Sequence, residues 1–339
     1  MTVLSADLSA RLSEFLAPEV GSAIRVRDLA PMEDGHAGLT FGFRLESADG
    51  TTFGSYVLRM APAGVTRRGN TDVYRQAPLL RALHKAGLPV PAVPFASAGE
   101  DALGAPFIVM EKLPGRVFLI WEPHPTFARD AATLDSIWHQ AARALAAIHR
   151  LDWRRALAEW EQPQPLAAEL RRWDKILRHS QDETWLALGL RLQQRLLDTE
   201  PAPQAIGLIH GDFQPGNVLY GEGNRLSGIV DWELSSIGAQ GLDVGWLMMM
   251  GDPGAWAPDW PPIVARPSTF LLEAYRDAGG PAVEHVEWFQ AFAAYRMASI
   301  ACLNVKLHRT GKRPDPLWDR FAPSIAPMFR WGLAWLGAA

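Results

Sequence analysis

The pattern of apolar residues changes character near residue 113 of the 339-residue chain, and this change limits the folds that the chain can adopt. Before that point, short runs rich in β-branched and aromatic residues are separated by Gly, Asp and Pro, which is typical of strands. One helix over residues 72–86 interrupts them, and we expect its regular part to begin at Pro78. The predicted strands cover residues 23–29, 39–45, 53–60 and 107–112.

After residue 113, apolar residues recur at helical spacing. The predicted helices cover residues 134–149, 166–178, 184–197, 268–278, 286–308 and 317–336. The pattern therefore predicts an α+β chain with two lobes. A small β-rich lobe would cover residues 1–112, and a larger, mainly helical lobe would cover residues 113–339.

Composition excludes several classes of partner. The chain has 33 Lys and Arg against 37 Asp and Glu, so its net charge of −4 provides no basic field for nucleic acid. Its single cysteine, Cys302, excludes an internal disulfide. The first residues lack a basic stretch followed by a long apolar run, and no apolar run has the length of a membrane span. We therefore expect a soluble cytoplasmic monomer or homodimer with no nucleic-acid or membrane partner.

Three polar residues in two short segments carry the strongest chemical signal. Asp212 is followed five residues later by Asn217, and Asp231 lies beyond a turn, each beside a short apolar run. Phosphoryl transfer needs a carboxylate to accept a hydroxyl proton, together with an amide oxygen and a second carboxylate for Mg²⁺. A single aspartate would indicate only a turn. The ordered set predicts Asp212 as the catalytic residue and Asn217 and Asp231 as metal ligands.

The same segments resemble a known family. His-Gly-Asp-Phe-Gln-Pro-Gly-Asn at 210–217 and Val-Asp-Trp-Glu at 230–233 resemble the signatures of the aminoglycoside phosphotransferase and choline kinase family, which has a protein-kinase-like fold. Residues 57–59, 170–173 and 295–300 are similar to phosphotransferase domains related to the N-terminal part of some acyl-CoA dehydrogenase chains. The resemblance extends over roughly residues 30–311 and implies that the γ-phosphate of ATP, or of GTP, is transferred to the hydroxyl of a small molecule with Mg²⁺.

Two alternative functions stay open at this point. One is an aminoglycoside or macrolide antibiotic phosphotransferase, and the other is a nucleotide-binding pseudokinase with weak or no catalysis. A P-loop kinase is excluded because the chain has no Gly-x-x-x-x-Gly-Lys-Ser/Thr segment.

The expected nucleotide site departs from the family pattern at two residues. The resemblance places Arg59 where a lysine is usual on the third strand, and Gln76 where a helix glutamate usually pairs with that base. Gln76 can accept a hydrogen bond from Arg59 through its amide oxygen but offers no counter-charge. Backbone N–H groups of a glycine-containing turn would cover the phosphates, and a hinge after the last strand would meet the adenine. The residues expected there are Gly35, Gly38 and Thr40 in the turn and Met110, Glu111 and Leu113 in the hinge.

Three further residues are expected to support the site. His210 has the character of a loop organiser, because Asp212 already fills the role of the base. The resemblance implies that Asp243 ties the catalytic loop to the helical lobe. Glu233 either approaches the metal or caps the next segment, and the sequence does not decide between these readings.

The acceptor end is the least specified. Arg171, Arg172, Lys175 and Arg178 form a basic stripe on a predicted helix, which is either a solvated face or a contact for an anionic acceptor such as a hydroxyacyl thioester. Fourteen tryptophans are expected mostly in the helical core, with the alternative that a few of them line a substrate pocket.

Overall fold

A computed structural model describes residues 3–20, 23–32, 39–61, 69–202 and 205–337 of the chain. These residues divide into two compact units, and each is described by itself. The first unit is Met1–Gly115 with Ala156–Trp160 and Ser227–Leu234, and the second is Arg116–Arg155, Glu161–Leu226 and Ser235–Ala339. Two short segments from far along the chain therefore belong to the first unit.

An antiparallel five-stranded sheet organises the first unit, in the order β1-β2-β3-β5-β4. Its elements are α1 (Val3–Val20), β1 (Ile24–Pro31), β2 (Leu39–Ser47), β3 (Thr52–Met60), α2 (Gln76–Lys85), β4 (Phe95–Ser97) and β5 (Phe107–Glu111). Leu12 and Leu16, one helical turn apart on α1, are fully buried in the core that also contains Leu58 and Phe107. The sequence did not predict α1, because the buried stripe on this helix is narrow.

The start of α2 differs from the prediction. The helix begins at Gln76, so Pro78 lies in its first turn rather than at its beginning. The N–H groups of a first turn have no partner within the helix, so the N–H that proline lacks costs nothing there.

The chain from residue 116 onward is mainly helical. Its strands are β6 (Arg116–Val117), β7 (Ile206–Ile209), β8 (Val218–Tyr220), β9 (Leu226–Ile229) and β10 (Ser236–Ala239). Its helices are α3 (Ala131–His149), α4 (Trp153–Ala156), α5 (Leu166–Leu177), α6 (Glu183–Asp198), α7 (Gly241–Met250), α8 (Thr269–Asp277), α9 (Val286–Arg309), α10 (Leu317–Phe321) and α11 (Ile325–Trp335). The β7 and β10 strands pair antiparallel over residues 206–209 and 236–239.

Helix α7 was not predicted, and its burial explains why. All ten of its residues are buried, so it has no polar face and no amphipathic period. Two glycines one turn apart, Gly241 and Gly245, bring it close to α9, because a Cβ atom at either position would collide with Phe289. This packing fixes the start of α7, which carries one of the predicted site residues.

The single predicted helix over residues 317–336 is wrong. The structure has α10, a 3₁₀ turn at Ala322–Ser324 and then α11. Pro323 causes the break, since it lacks a backbone N–H and its ring collides with the carbonyl of the preceding turn.

Most of the other predicted elements agree with the structure to within a few residues. The predicted α+β class, with a β-rich first part and a helical remainder, is confirmed. The lobe boundary at residue 112 stays a prediction. Among the described residues, no helix combines the length and apolar character needed to cross a membrane.

Candidate functional site

The loop that follows β7 holds two of the predicted residues together. The side-chain amide nitrogen of Asn217 donates to the backbone carbonyl of Asp212 at 2.8 Å and to Asp212 Oδ2 at 3.0 Å. The amide nitrogen is thus used to fix Asp212, and the amide oxygen is the group of Asn217 that suits a hard cation. The sequence spacing of five residues therefore becomes a direct contact.

The first residues of this loop are held by Asp243, in the first turn of α7. Asp243 Oδ2 accepts from the backbone N–H of His210 at 2.6 Å, and Oδ1 accepts from that of Gly211 at 2.8 Å. His149 Nε2 lies 3.2 Å from Asp243 Oδ2, and His149 Nδ1 lies 2.8 Å from the hydroxyl of Tyr275. A buried chain of polar groups therefore runs from the helices to the loop.

The electrostatics of Asp243 favour its charged form. The residue is 1% exposed, and burial alone opposes ionisation. The hydrogen bond and charge of His149, followed by the charge of His210 and its backbone N–H, nevertheless hold the pKa of the Asp243 carboxyl below its usual value. Asp243 is therefore a fixed anion that positions the loop.

His210 and Gly211 shape the loop through the backbone. The N–H of Asp212 donates to His210 Nδ1 at 3.3 Å, and the hydroxyl of Ser235 donates to the His210 carbonyl at 3.2 Å. Gly211 has a φ of 88°, which a side chain would strain. These contacts are those of a residue that organises a loop.

In the first unit, Arg59 on β3 is surrounded by acceptors. It is 8% exposed and forms a close ion pair with Glu233, while Asp231 Oδ1 lies 3.7 Å from its guanidinium. Arg59 also donates to the side-chain oxygen of Gln76 at 3.4 Å, which is the hydrogen bond that the sequence suggested. The counter-charge that Gln76 lacks is therefore supplied by the segment Ser227–Leu234.

Glu233 is in contact with a charged partner that neither sequence reading named. Burial, and then the charge of Asp231, raise the pKa of Glu233 to about 6, against the opposing effect of Arg59. Its side chain accepts a hydrogen bond from the guanidinium of Arg59. Its backbone carbonyl accepts from Arg75 at 3.2 Å, which ties the segment to the start of α2.

Asp231 has a strained backbone. Its φ of 63° lies in the left-handed region, which costs a non-glycine residue about 1 kcal/mol or more. Residues held in this way cluster at functional sites. The Asp231 side chain is also 39% exposed, so an ion from solvent can reach it.

The other residues predicted for the nucleotide are distributed as follows. Gly35 and Gly38 lie outside the described residues. Thr40 on β2 lies opposite Arg59 in the register of β2 and β3. Met110 is half-buried and Glu111 exposed at the end of β5, and the half-buried Leu113 follows two residues later.

The two predicted metal ligands belong to different units, Asn217 to the second and Asp231 to the first. The described residues contain no group of three or more His, Cys, Asp or Glu side chains that could hold a metal. Taken singly, the amide oxygen of Asn217 and the carboxylate of Asp231 are hard oxygen donors of the kind that Mg²⁺ takes.

A family model for the phosphotransferase enzyme family matches residues 36–289. The chain belongs to this family. The predicted enzyme class, a phosphotransferase with an alcohol group as acceptor, is confirmed by the family.

The phosphotransferase has curated relatives that are longer than this chain. It is 28% identical over 291 residues to Probable acyl-CoA dehydrogenase IBR3 from Arabidopsis thaliana, covering 78% of this chain and 35% of that protein. The chain therefore spans about a third of that relative's length. The predicted resemblance to domains of acyl-CoA dehydrogenase chains is confirmed.

Solved structures support the fold. A Ralstonia eutropha protein assigned as an aminoglycoside phosphotransferase superposes with a TM-score of 0.77 at 20% identity, covering 97% of this chain and 98% of that one. Spectinomycin phosphotransferase APH(9)-Ia, solved with ADP and spectinomycin, gives a TM-score of 0.59 at 14% identity, covering 96% and 98%. These likenesses confirm the predicted protein-kinase-like fold.

Two features of the phosphotransferase site were not predicted from its sequence. His149, which contacts Asp243, ends a predicted helix, and its position in the last turn was the only signal. The ion pair between Arg59 and Glu233 joins residues that are 174 positions apart. A local sequence pattern cannot predict a contact between residues so far apart in the chain.

Proposed function

We propose that this phosphotransferase transfers the γ-phosphate of ATP, or of GTP, to the hydroxyl of a small molecule with Mg²⁺. The observation that carries the proposal is the pair of hydrogen bonds from Asn217 to Asp212, in a loop whose first residues are held by Asp243. A carboxylate fixed in this way can be aimed at an acceptor hydroxyl without reorganising during the reaction.

Each side chain has a separate task in the proposed reaction. Asp212 accepts the proton of the acceptor hydroxyl or orients its oxygen for in-line attack. The oxygen of Asn217 and the carboxylate of Asp231 would hold Mg²⁺, which when bound neutralises charge on the phosphates. Arg59 can hold phosphate oxygens with two parallel hydrogen bonds, and Glu233 keeps its guanidinium in place.

The proposal also includes contacts between the protein backbone and the phosphates and base of the nucleotide. Backbone N–H groups at Gly35 and Gly38, with Thr40, would cover the phosphates, and the backbone at Met110, Glu111 and Leu113 would meet the base. The presence of ADP in the solved spectinomycin phosphotransferase supports a nucleotide in a fold of this kind. A cytoplasmic location and a monomeric or homodimeric state stay predictions.

The pseudokinase alternative loses its main motive. It was suggested by glutamine at position 76, which removes the usual partner of the phosphate-binding base. Glu233 and Asp231 provide two carboxylates to Arg59 instead, so the missing glutamate is compensated within the first unit.

A product screen tests the proposal. The 339-residue chain is incubated with Mg²⁺ and ATP or GTP against a panel of hydroxylated metabolites, aminoglycosides and macrolides, and a mass gain of one phosphate is read for each acceptor. The Asp212→Asn variant serves as the control for contaminating kinases. Clear nucleotide binding without product from any acceptor would favour the pseudokinase.

A further inference from the structure

A second buried arginine lies in the middle of α9, in the second unit. Arg296 is 6% exposed, and its guanidinium lies between two indole rings. The centroid of the Trp173 ring, on α5, is 4.7 Å away, and that of Trp246, on α7, is 4.4 Å away. Two aromatic faces hold the flat guanidinium in one plane, so the direction of its N–H groups is fixed.

In the part of the chain that the structure describes, no side chain accepts a hydrogen bond from this arginine. Among the described residues, no carboxylate lies within ion-pair distance of Arg296, and its Nε is enclosed without a hydrogen-bond partner. The two terminal nitrogens of Arg296 are not among the enclosed atoms without a hydrogen-bond partner, and they keep some access to solvent. Arginine stays charged in proteins, and an unpaired buried charge is costly. An anionic ligand in contact with the guanidinium would offset this cost.

The position of Trp246 brings this guanidinium close to the catalytic loop. Asp243 and Trp246 are three residues apart on α7, and residues at that spacing lie on one face of a helix. Asp243 accepts hydrogen bonds from the first two residues of the loop. Burial lowers the pKa of Arg296, and the first of the charges that oppose this effect is that of Asp212.

We propose that Arg296 binds an oxyanion of the acceptor, a carboxylate or a phosphate, while the hydroxyl of the same molecule faces Asp212. The proposal rests on the proposed function and names its substrate class. A planar guanidinium matches the two oxygens of a carboxylate or phosphate with two parallel hydrogen bonds. A polycationic aminoglycoside would instead meet a like charge, so the site selects small hydroxylated anions.

The exposed basic stripe is a poorer candidate for this role. Arg171, Arg172 and Lys175 are exposed on α5, and Arg178 is exposed directly after its last residue. Arg172 lies 3.8 Å from Glu169, and Arg178 lies 2.9 Å from Asp174, so both already have counter-charges. Cations in water bind anions weakly, because the interaction is screened. The stripe therefore has the character of a solvated face.

Calorimetric titration of the 339-residue chain tests the proposal with matched probes. One pair is 3-hydroxybutyrate and its primary amide, and the other is glycerol 3-phosphate and glycerol. We expect at least one anion to bind roughly 10- to 100-fold more tightly than its neutral partner, since charge-assisted hydrogen bonds contribute that much. The pair with the larger ratio distinguishes a carboxylate from a phosphate. Equal affinities in both pairs would overturn the proposal.

Variants assign the preference to this side chain. Arg296→Gln should abolish the anion preference, Arg296→Lys should keep only part of it, and the exposed Arg171→Gln should keep all of it. An undiminished preference in Arg296→Gln would contradict the assignment. Arg296→Lys replaces Arg296→Gln as the deciding variant when circular dichroism shows that Arg296→Gln does not fold. Full anion preference in Arg296→Lys would then overturn the proposal that the anion is bound by the two parallel hydrogen bonds of a guanidinium.

The readout separates this proposal from the proposed function. Anion binding is measured without nucleotide, whereas phosphate transfer is measured by mass with Mg²⁺ and ATP. Anion preference without phosphate transfer would support the Arg296 site and contradict the proposed kinase activity. Phosphate transfer to neutral acceptors without any anion preference would support the kinase activity and contradict the Arg296 site.

Discussion

Arg59 and Arg296 are both buried arginines, and their surroundings differ in one respect. Arg59 contacts the carboxylates of Glu233 and Asp231, whereas Arg296 lies between two indoles with no carboxylate in contact among the described residues. The first charge is balanced within the chain. The second has only more distant carboxylates of the described residues around it, the first of them Asp212. The difference agrees with the two proposed roles, an arginine held for a nucleotide and one that recognises an acceptor.

The largest expected effect is on turnover, through the carboxylate of Asp212. Asp212→Asn should lower turnover by roughly 10²–10⁴, because the proton acceptor is lost. Nucleotide binding at Arg59 and anion binding at Arg296 should both persist, which steady-state kinetics and calorimetry measure separately. A variant as fast as the parent would remove Asp212 from the reaction.

The next effect is the coupling between Arg59 and Glu233. Burial and the charge of Asp231 oppose the charge of Glu233, and Arg59 offsets part of that cost. A double-mutant cycle of Glu233→Gln and Arg59→Met, measured by urea unfolding at neutral pH, should therefore give a favourable coupling of about 2 kcal/mol. A coupling of zero would show that the ion pair does not stabilise the fold.

An exposed ion pair provides the matched control for that experiment. Arg44 Nη2 lies 2.5 Å from Asp28 Oδ2, but the side chains of Arg44 and Asp28 are 50% and 68% exposed. Asp28→Asn should therefore change the free energy of unfolding by less than about 0.5 kcal/mol.

Arg296 should behave differently. Among the described residues no carboxylate is in ion-pair contact with it, so Arg296→Met should leave the free energy of unfolding unchanged or raise it by about 1 kcal/mol. The same variant should lose its preference for anionic probes. A loss of stability of about 2 kcal/mol would mean that Arg296 is paired within the fold, and the comparison would fail.

The smallest effect is a pH dependence at Asp243, whose charge is fully partnered. Because the folded state lowers its pKa from 3.8, this carboxylate stabilises the fold above that value, and the contribution is lost as pH falls through the lower folded pKa. Asp243→Asn should be less stable than the parent at neutral pH, and the gap should narrow in acid. Urea unfolding between about pH 3 and pH 7 checks this, and a constant gap would contradict it.

The sequence predicted what is local. The spacing of Asp212 and Asn217 became a contact, and the hydrogen bond from Arg59 to Gln76 is present, because strand and helix patterns placed both residues. The sequence could not place Glu233 beside Arg59, since that contact depends on how residues 227–234 return to the first unit. It also missed the setting of Arg296, which three helices build together, one of them wholly buried.

The ion pair of Arg59 with Glu233 has a consequence for how inactive kinases are recognised. A survey that scores competence by a lysine on the third strand and a glutamate on the following helix would discard this chain twice, at Arg59 and at Gln76. A cation and a carboxylate nevertheless stand in contact, supplied from different places in the chain. Genome surveys of inactive kinases should therefore search for a cation and a carboxylate that are in contact in the structure, rather than for a lysine and a glutamate at two positions of the sequence.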